Sequence, residues 1–460
     1  MENETCRGRQ ESSPLQRLYR LIYMSISVHA GGKKRGVECL LIEKTEQVAE
    51  RKIEIEMEGV EEMEIVIVGG GICGLATALA LHRKGIASVV LERSESLRAT
   101  GGGIGIQANG WRALEQLGIA SELRQTALTF QLARAMWLDS GKQKESPVSD
   151  GEFRCVERSK LVELLAAHLP VGTIRFGCDI ISIKLDAHTS TPILDMHDGS
   201  IIKAKVVIGC DGGNSVIGDF LELKPPKLLS KVCSVRGFTN YPNGHGFGTD
   251  GMRQMKGQVM LGRATITETL VYWTVLVQVY PQDSNVWKDP KLIRQFALEL
   301  TEGFPTEMTE MINGSDDNSL SLTHIRYREP WDVLLGRFRK GSVTVAGDAM
   351  HIMGPFLGQG GSAALEDAVV LARCLAPKLH EVNLERNGRE TMVVQKVGEA
   401  LDAYVKERRM RLVWLSAQTY LAGKLLVDSS PLPLKLLSIV VMAALFRDPG
   451  GHSRYDCGRL

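Results

Sequence analysis

A short β-branched run that ends in spaced glycines and passes at once into an Ala/Leu-rich pattern leaves a chain few folds to choose from. Residues 63–81 have this form, with Gly69, Gly71 and Gly74 at the G-x-G-x-x-G positions. The order is strand, tight turn, helix. Gly69 permits the sharp turn out of the strand, Gly71 lets a pyrophosphate approach the backbone, and Gly74 lets the helix pack closely on the strand. The helix start adds free N–H groups and a positive dipole end. A second apolar strand, residues 87–91, ends in Glu92. That acid lies about 20 residues beyond the glycines, where a carboxylate binds the adenosine ribose hydroxyls. All five features agree on a dinucleotide-binding unit.

Two more sites of this kind follow. Residues 205–212 form an apolar strand running into Asp211-Gly212, with Asn214 or Ser215 as cap of the next helix. Residues 342–348 run from a strand into Gly347-Asp348, and a helix rich in small and apolar residues begins after Gly361. Strand carboxyl ends in a doubly wound sheet converge on one crevice, so a single dinucleotide can touch all three sites. Residues 355–361 add a glycine-rich helix start suited to the negative end of a ring or a developing anion.

Composition removes other classes. Hydrophobic content of 44% and charged content of 24% are those of an ordinary globular chain, long enough for more than one domain. A formal net charge of +1 argues against a nucleic-acid partner. The nine cysteines form no C-x-x-C pair and read as buried thiols in a reducing compartment, with no metal site. The apolar run 432–446, interrupted by Lys435, is short of a membrane span and is expected to be a buried C-terminal helix, with shallow membrane contact as the alternative. Residues 139–151 read as a polar loop, and residues 232–280 as an antiparallel sheet.

The three motifs together resemble the flavin-dependent aromatic hydroxylases and epoxidases, nearest the plant monooxygenases related to bacterial salicylate hydroxylase, with zeaxanthin epoxidase more distant. The resemblance runs from Met63 to the tail near Tyr455. It implies an α/β fold: an FAD-binding Rossmann-like domain (63–225 and 320–375), an inserted antiparallel-sheet substrate domain (226–319) and a C-terminal helical region (376–460). Residues 1–62 are expected to be a poorly structured extension, with Met57 or Met63 a sensible natural start. By the same resemblance Gly69, Gly71, Gly74 and Glu92 match the FAD fingerprint, and Arg93 neighbours the adenosine. Arg158 reaches the FAD, and Asp211-Gly212 serves FAD pyrophosphate and NAD(P)H. Gly347-Asp348 binds the ribityl chain, and Pro355, Gly358 and Gly360 line the isoalloxazine ring. The motif after Asp211-Gly212 departs from the family in lacking an arginine, with Ile217 in its place.

The activity implied is an NAD(P)H-dependent flavoprotein monooxygenase. It hydroxylates or epoxidises a small aromatic or isoprenoid-type substrate with O2 through a flavin hydroperoxide. The alternatives are another FAD oxidoreductase, such as a reductase, and a catalytically impaired FAD-binding protein. No catalytic acid or base is assigned. His351 reads as a packing or hydrogen-bonding residue, and Arg236 and His245 are candidates to meet a carboxylated or phenolic substrate. The expected compartment is intracellular, cytoplasmic or plastid.

Overall fold

The computed structural model describes residues 60–97, 101–148, 151–384, 390–426, 432–445, 448 and 450–460. Residues Glu61–Leu460 form one compact unit. The expected extension lies outside the described residues up to position 59, and the first strand starts at Val60, ahead of Met63.

The strands in chain order are β1 (Val60–Val68), β2 (Val89–Leu91), β3 (Gly103–Ile106), β4 (Leu132–Trp137), β5 (Lys142–Pro147), β6 (Arg154–Glu157), β7 (Ile174–Arg175) and β8 (Ile180–Leu185). They continue as β9 (Pro192–Met196), β10 (Ile201–Gly209), β11 (Lys227–Asn240), β12 (Asp250–Lys256), β13 (Val259–Thr265), β14 (Leu270–Val277), β15 (Ser321–Tyr327), β16 (Arg339–Lys340) and β17 (Val343–Val345). The longer helices are α1 (Ile72–Arg83), α2 (Ala108–Leu117), α3 (Arg158–Ala167), α4 (Pro290–Leu300), α5 (Thr306–Asn313), α6 (Gly360–Leu384), α7 (Glu390–Leu426) and α8 (Leu432–Leu445).

An eight-stranded sheet has the order β16-β17-β10-β1-β2-β7, with β8 and β9 beyond β10. β1 pairs β2 in parallel, and so does β10 with β17. Val66, Ile67, Val207 and Ile208 are fully buried, as strands covered on both faces require. Burying each such side chain contributes roughly 1.5–3 kcal/mol. α1 is buried along almost its whole length and packs against α6.

The second sheet has seven strands in the order β15-β11-β14-β13-β12-β4-β5. One face packs Val235, Trp273, Val275 and Leu261 against α4 and α5 through Ile293, Ala297, Met308 and Ile312.

Three expectations change. The second sheet is not confined to residues 226–319, because β4 and β5 join it from earlier in the chain and β15 from later. The stretch read as a polar loop contains β5, an almost wholly exposed edge strand. Its two solvated faces carry no apolar alternation, which hides it from pattern reading. The run expected to be a buried C-terminal helix forms α8, yet Leu436, Ile439 and Val440 are exposed. Among the described residues no helix is long and apolar enough to cross a membrane.

Candidate active site

Four neighbouring strands, β17, β10, β1 and β2, end at one edge of the eight-stranded sheet. Gly69 N–H donates to Leu91 O at 2.8 Å and Cys210 N–H donates to Val68 O at 2.8 Å, so these ends lie side by side. The segments leaving them carry Gly69–Gly74, Glu92, Asp211-Gly212 and Gly347-Asp348, and the sheet brings all of them to one crevice.

The three fingerprint glycines are glycine for different reasons. Gly69 has φ +102°, and a Cβ there would lie 2.6 Å from Cys210 O. A Cβ on Gly74 would lie 1.9 Å from Gly69 O, so strand and helix can approach only without it. At Gly71 a Cβ would meet nothing nearer than Arg158 Nη2 at 3.9 Å, so this backbone borders open space. Gly71 is the N-cap of α1, extended and without a side-chain cap, which leaves the first-turn N–H groups for a ligand.

Glu92 is 8% exposed. Its Oε2 accepts from Gly70 N–H at 2.6 Å and its Oε1 from Ser94 N–H at 2.9 Å. The carboxylate thus ties the glycine turn to the end of β2. Arg93 beside it is exposed. Arg158 opens α3, with its N–H donating to Gly102 O at 3.2 Å. Its side chain runs past Gly101, whose absent Cβ would lie 2.8 Å from Arg158 Cδ.

Asp211 caps rather than reaches. Its Oδ1 accepts from Ser215 Oγ–H at 2.5 Å and its Oδ2 from Ile217 N–H at 3.3 Å, while burial pushes its pKa up. Ser215, not Asn214, is the N-cap of helix Val216–Phe220. Gly212 has φ +80° and open space where a Cβ would stand. Ile217 is fully buried against Gly209 and Val345, so this position faces the core and its apolar side chain takes nothing from the crevice. A guanidinium does stand beside this turn: Arg326 Nη1 donates to Asn214 Oδ1 at 2.5 Å from β15.

Gly347 adopts φ +62°, with Cys73 Cβ 2.8 Å from where its own Cβ would be. Asp348 follows. Its side chain is exposed by area, yet protein surrounds it closely enough that desolvation pushes its pKa up, against the pull of His351 and Arg158. An accessible but desolvated carboxylate faces a recess, not bulk water. Pro355 is exposed in the short turn Pro355–Leu357, Gly358 has φ +62°, and Gly360 opens α6 onto free space. Gln107 Nε2–H donates to Leu357 O at 2.9 Å and holds this segment to the start of α2.

Three residues that sequence reading passed over, Asp367, Glu366 and Arg408, fix this geometry together with His351. Asp367 Oδ2 accepts from Gly347 N–H at 2.9 Å and lies 2.6 Å from His351 Nε2. Its Oδ1 accepts from Arg408 Nε–H at 2.7 Å, and Arg408 Nη2 donates to Glu366 Oε2 at 2.7 Å. All four side chains are fully buried. Burial alone would raise the Asp367 pKa; His351 and Arg408 overcome it and hold the carboxyl far below its usual range. The available signal was an adjacent acid pair in the otherwise apolar start of α6, since buried acids require a buried cation. His245 lies away from this network: its Nε2 is 2.8 Å from Thr267 O and its ring stacks on Phe247.

The apolar sheet's other face carries Arg236, Tyr272 and Thr274. A Cβ on Gly102 would lie 2.8 Å from Tyr272 Cε2 and 2.9 Å from Arg236 Cδ, so this face abuts the glycine segment that Arg158 also touches. Arg236 Nη2 donates to Thr323 Oγ1. Burial pushes the Tyr272 phenol pKa up, opposed by the nearby Arg236 charge.

An adenine dinucleotide with a flavin ring suits these residues on three counts: open backbone at Gly71 and Gly360, an uncapped helix start at α1, and a desolvated acid facing a recess at Asp348.

The chain belongs to the FAD-binding domain family, whose model matches residues 62–411. The protein is an FAD-dependent flavoprotein monooxygenase. It is 50% identical over 404 residues to Monooxygenase 1 of Arabidopsis thaliana, spanning 87% of this chain and 100% of that one. It is 34% identical over 403 residues to Monooxygenase 2 of the same plant, spanning 86% and 98%. Among solved structures, Klebsiella pneumoniae HpxO complexed with FAD and uric acid shares the fold, with a TM-score of 0.69 at 19% identity over 85% of this chain and 96% of that one.

Proposed function

We propose that the protein uses NAD(P)H and O2 to add one oxygen atom to a small ring-containing or isoprenoid-type substrate. The substrate is held between the crevice at the strand ends and the Arg236–Tyr272 face of the second sheet. The observation that carries this is the direct abutment of that face on Gly102 and Gly103, which joins the cofactor crevice to the sheet. The uric acid in the HpxO structure supports a planar ring as ligand.

FAD, when bound, supplies the electron transfer and oxygen activation, which no side chain can perform. Gly69, Gly71, Gly74 and the start of α1 hold its pyrophosphate. Glu92 takes the adenosine ribose while bracing the turn, and Arg93 neighbours the adenosine. Arg158 and Asp348 flank the ribityl chain. Asp211-Gly212 shapes the pyrophosphate side and the approach of the nicotinamide. Pro355, Gly358 and Gly360 border the ring, where the start of α6 favours negative charge. Tyr272 and Gly102 close the recess and exclude water, which limits loss of activated oxygen.

The test is turnover under 18O2 with NADPH and with NADH, across ring-containing and isoprenoid substrates. The flavin absorbance should bleach anaerobically with reductant and return in air, with 18O in the product. Product formed without O2 would overturn the reading in favour of a reductase.

A further inference from the structure

Residues 450–460 contain one short turn, Gly451–Ser453, and no strand or longer helix, yet they are held along their length. Arg112 Nη1 on α2 donates to Arg454 O at 2.8 Å and to Tyr455 O at 3.1 Å. Arg373 on α6 donates to Cys457 O, and Leu460 N–H donates to Gln116 Oε1 at 3.0 Å. On α7 the Arg411 guanidinium stands 4.6 Å from the centre of the Tyr455 ring. Irregular backbone drawn against a fold needs partners for its polar groups, and α2, α6 and α7 supply them.

The same segment completes a closed circuit of hydrogen bonds. Arg411 Nη2 donates to His452 O at 2.6 Å and to Glu366 Oε1 at 3.1 Å. Asn109 Nδ2 donates to Glu366 Oε1 at 2.6 Å and to Gln359 Oε1 at 2.8 Å. Gln359 Nε2 donates to Gln107 Oε1 at 2.9 Å, and His452 Nε2 lies 3.0 Å from that same oxygen. Gln107 Nε2 donates to Leu357 O, and a carbonyl can only accept. The Gln107 Oε1 is therefore the acceptor, and His452 carries a proton on Nε2. Asn109, Gln359 and Glu366 are buried, so each of their bonds is costly to lose.

The circuit reaches the cofactor crevice at Leu357 and Gln359. These flank Gly358, with φ +62°, in the turn between Pro355 and Gly360. Gly358 and Gly360 give that turn no side chain with which to anchor itself, so its place is set by the groups that bond to it.

We propose that residues 450–460 are a working part of the flavin seat and that His452 is a positioning residue. Its Nε2–H holds Gln107, and Gln107 holds the turn from Leu357 to Gly360 against the flavin ring. The proposal rests on the functional reading above for the place of that ring. The pyrophosphate and adenosine are served by other residues, so this seat sets the attitude of the ring and leaves the grip on the dinucleotide intact.

The test uses the FAD-loaded full chain with H452F, H452Q and Q107L. Visible circular dichroism of the bound flavin reads the surroundings of the ring without turnover. H452F fills the space of the imidazole without its N–H. It should keep flavin content, shift the melting temperature by a few degrees at most, alter the visible dichroism, and slow anaerobic flavin reduction by NADPH about 10-fold. H452Q, whose amide N–H can donate to Gln107, should restore most of both. Q107L should reproduce the H452F spectrum, and combining the two changes should add little. An unaltered dichroism in H452F overturns the proposal. So does an equal defect in H452F and H452Q, which would assign the effect to shape and not to the N–H. Loss of folding or of flavin content in H452F would make the circuit purely structural, and also overturns it. A protein that shows the expected dichroism pattern but whose flavin NADPH never reduces would instead strike the functional reading and leave the seat standing.

Discussion

The two large sheets build their functional edges from different materials. The eight-stranded sheet makes its crevice from backbone: glycine turns, an uncapped helix start, and N–H groups at strand ends. The seven-stranded sheet makes its face from side chains aligned by register: Thr274, Arg236 and Tyr272. A backbone site tolerates almost no added atom where chain meets chain. A side-chain site tolerates substitution but changes what it binds. The first suits a cofactor of fixed shape, the second a substrate.

Substitutions at Gly74 and Gly71 separate packing from binding within the first edge. G74A forces a Cβ to 1.9 Å from Gly69 O. It should abolish flavin content and destabilise the fold by about 3 kcal/mol or more, read by absorbance and thermal melting. A G74A protein with normal flavin would refute the close helix–strand approach.

R408M removes the cation that Asp367 and Glu366 share, leaving Asp367 only His351 and Glu366 only Arg411. It should cost about 3–5 kcal/mol in urea unfolding. The pH dependence has a definite sign. Asp367 has a depressed pKa in the folded state. Its contribution is present above the ordinary carboxyl range and is lost as pH falls through that range toward its folded pKa. Acid unfolding of the native protein should therefore steepen below about pH 4, and R408M should blunt that loss.

G71A, where only Arg158 lies within reach of a Cβ, should leave the melting temperature of the apoprotein nearly unchanged. It should weaken FAD binding about tenfold, measured by fluorescence titration. Equal losses of stability in G71A and G74A would erase the distinction drawn between these glycines.

D348N gives the smallest expected effect on the fold. Asp348 has a raised folded pKa, so ionising it opposes folding as pH rises above the ordinary carboxyl value. The amide should slightly raise the apoprotein melting temperature at pH 7 and weaken FAD binding. A lowered melting temperature would mean that the carboxylate is structural.

Much of the first edge was legible in the linear chain. Each strand–glycine–helix motif is local, and its backbone demand is written in the residues that meet it. Gly69, Gly71, Gly74, Glu92, Gly212 and Gly347 all border the crevice or brace it. Reading stopped at groups whose partners are distant. Asp367 meets Arg408 and Asn109 meets Glu366 across hundreds of positions or tens of them, with no spacing rule to link them. The polar edge strand β5 was invisible because an exposed strand needs no apolar alternation.

From residue order alone follow the parallel strands that carry the glycine turns, the dinucleotide crevice and the family resemblance, because strand periodicity and glycine conformation act over a few neighbouring residues. The pairing of Thr274 with Arg236, the core-facing side of Ile217 and the ionic anchor beneath Gly347 arise on folding. Register and burial are set by which strands and helices pack together, and a linear pattern carries no record of that choice.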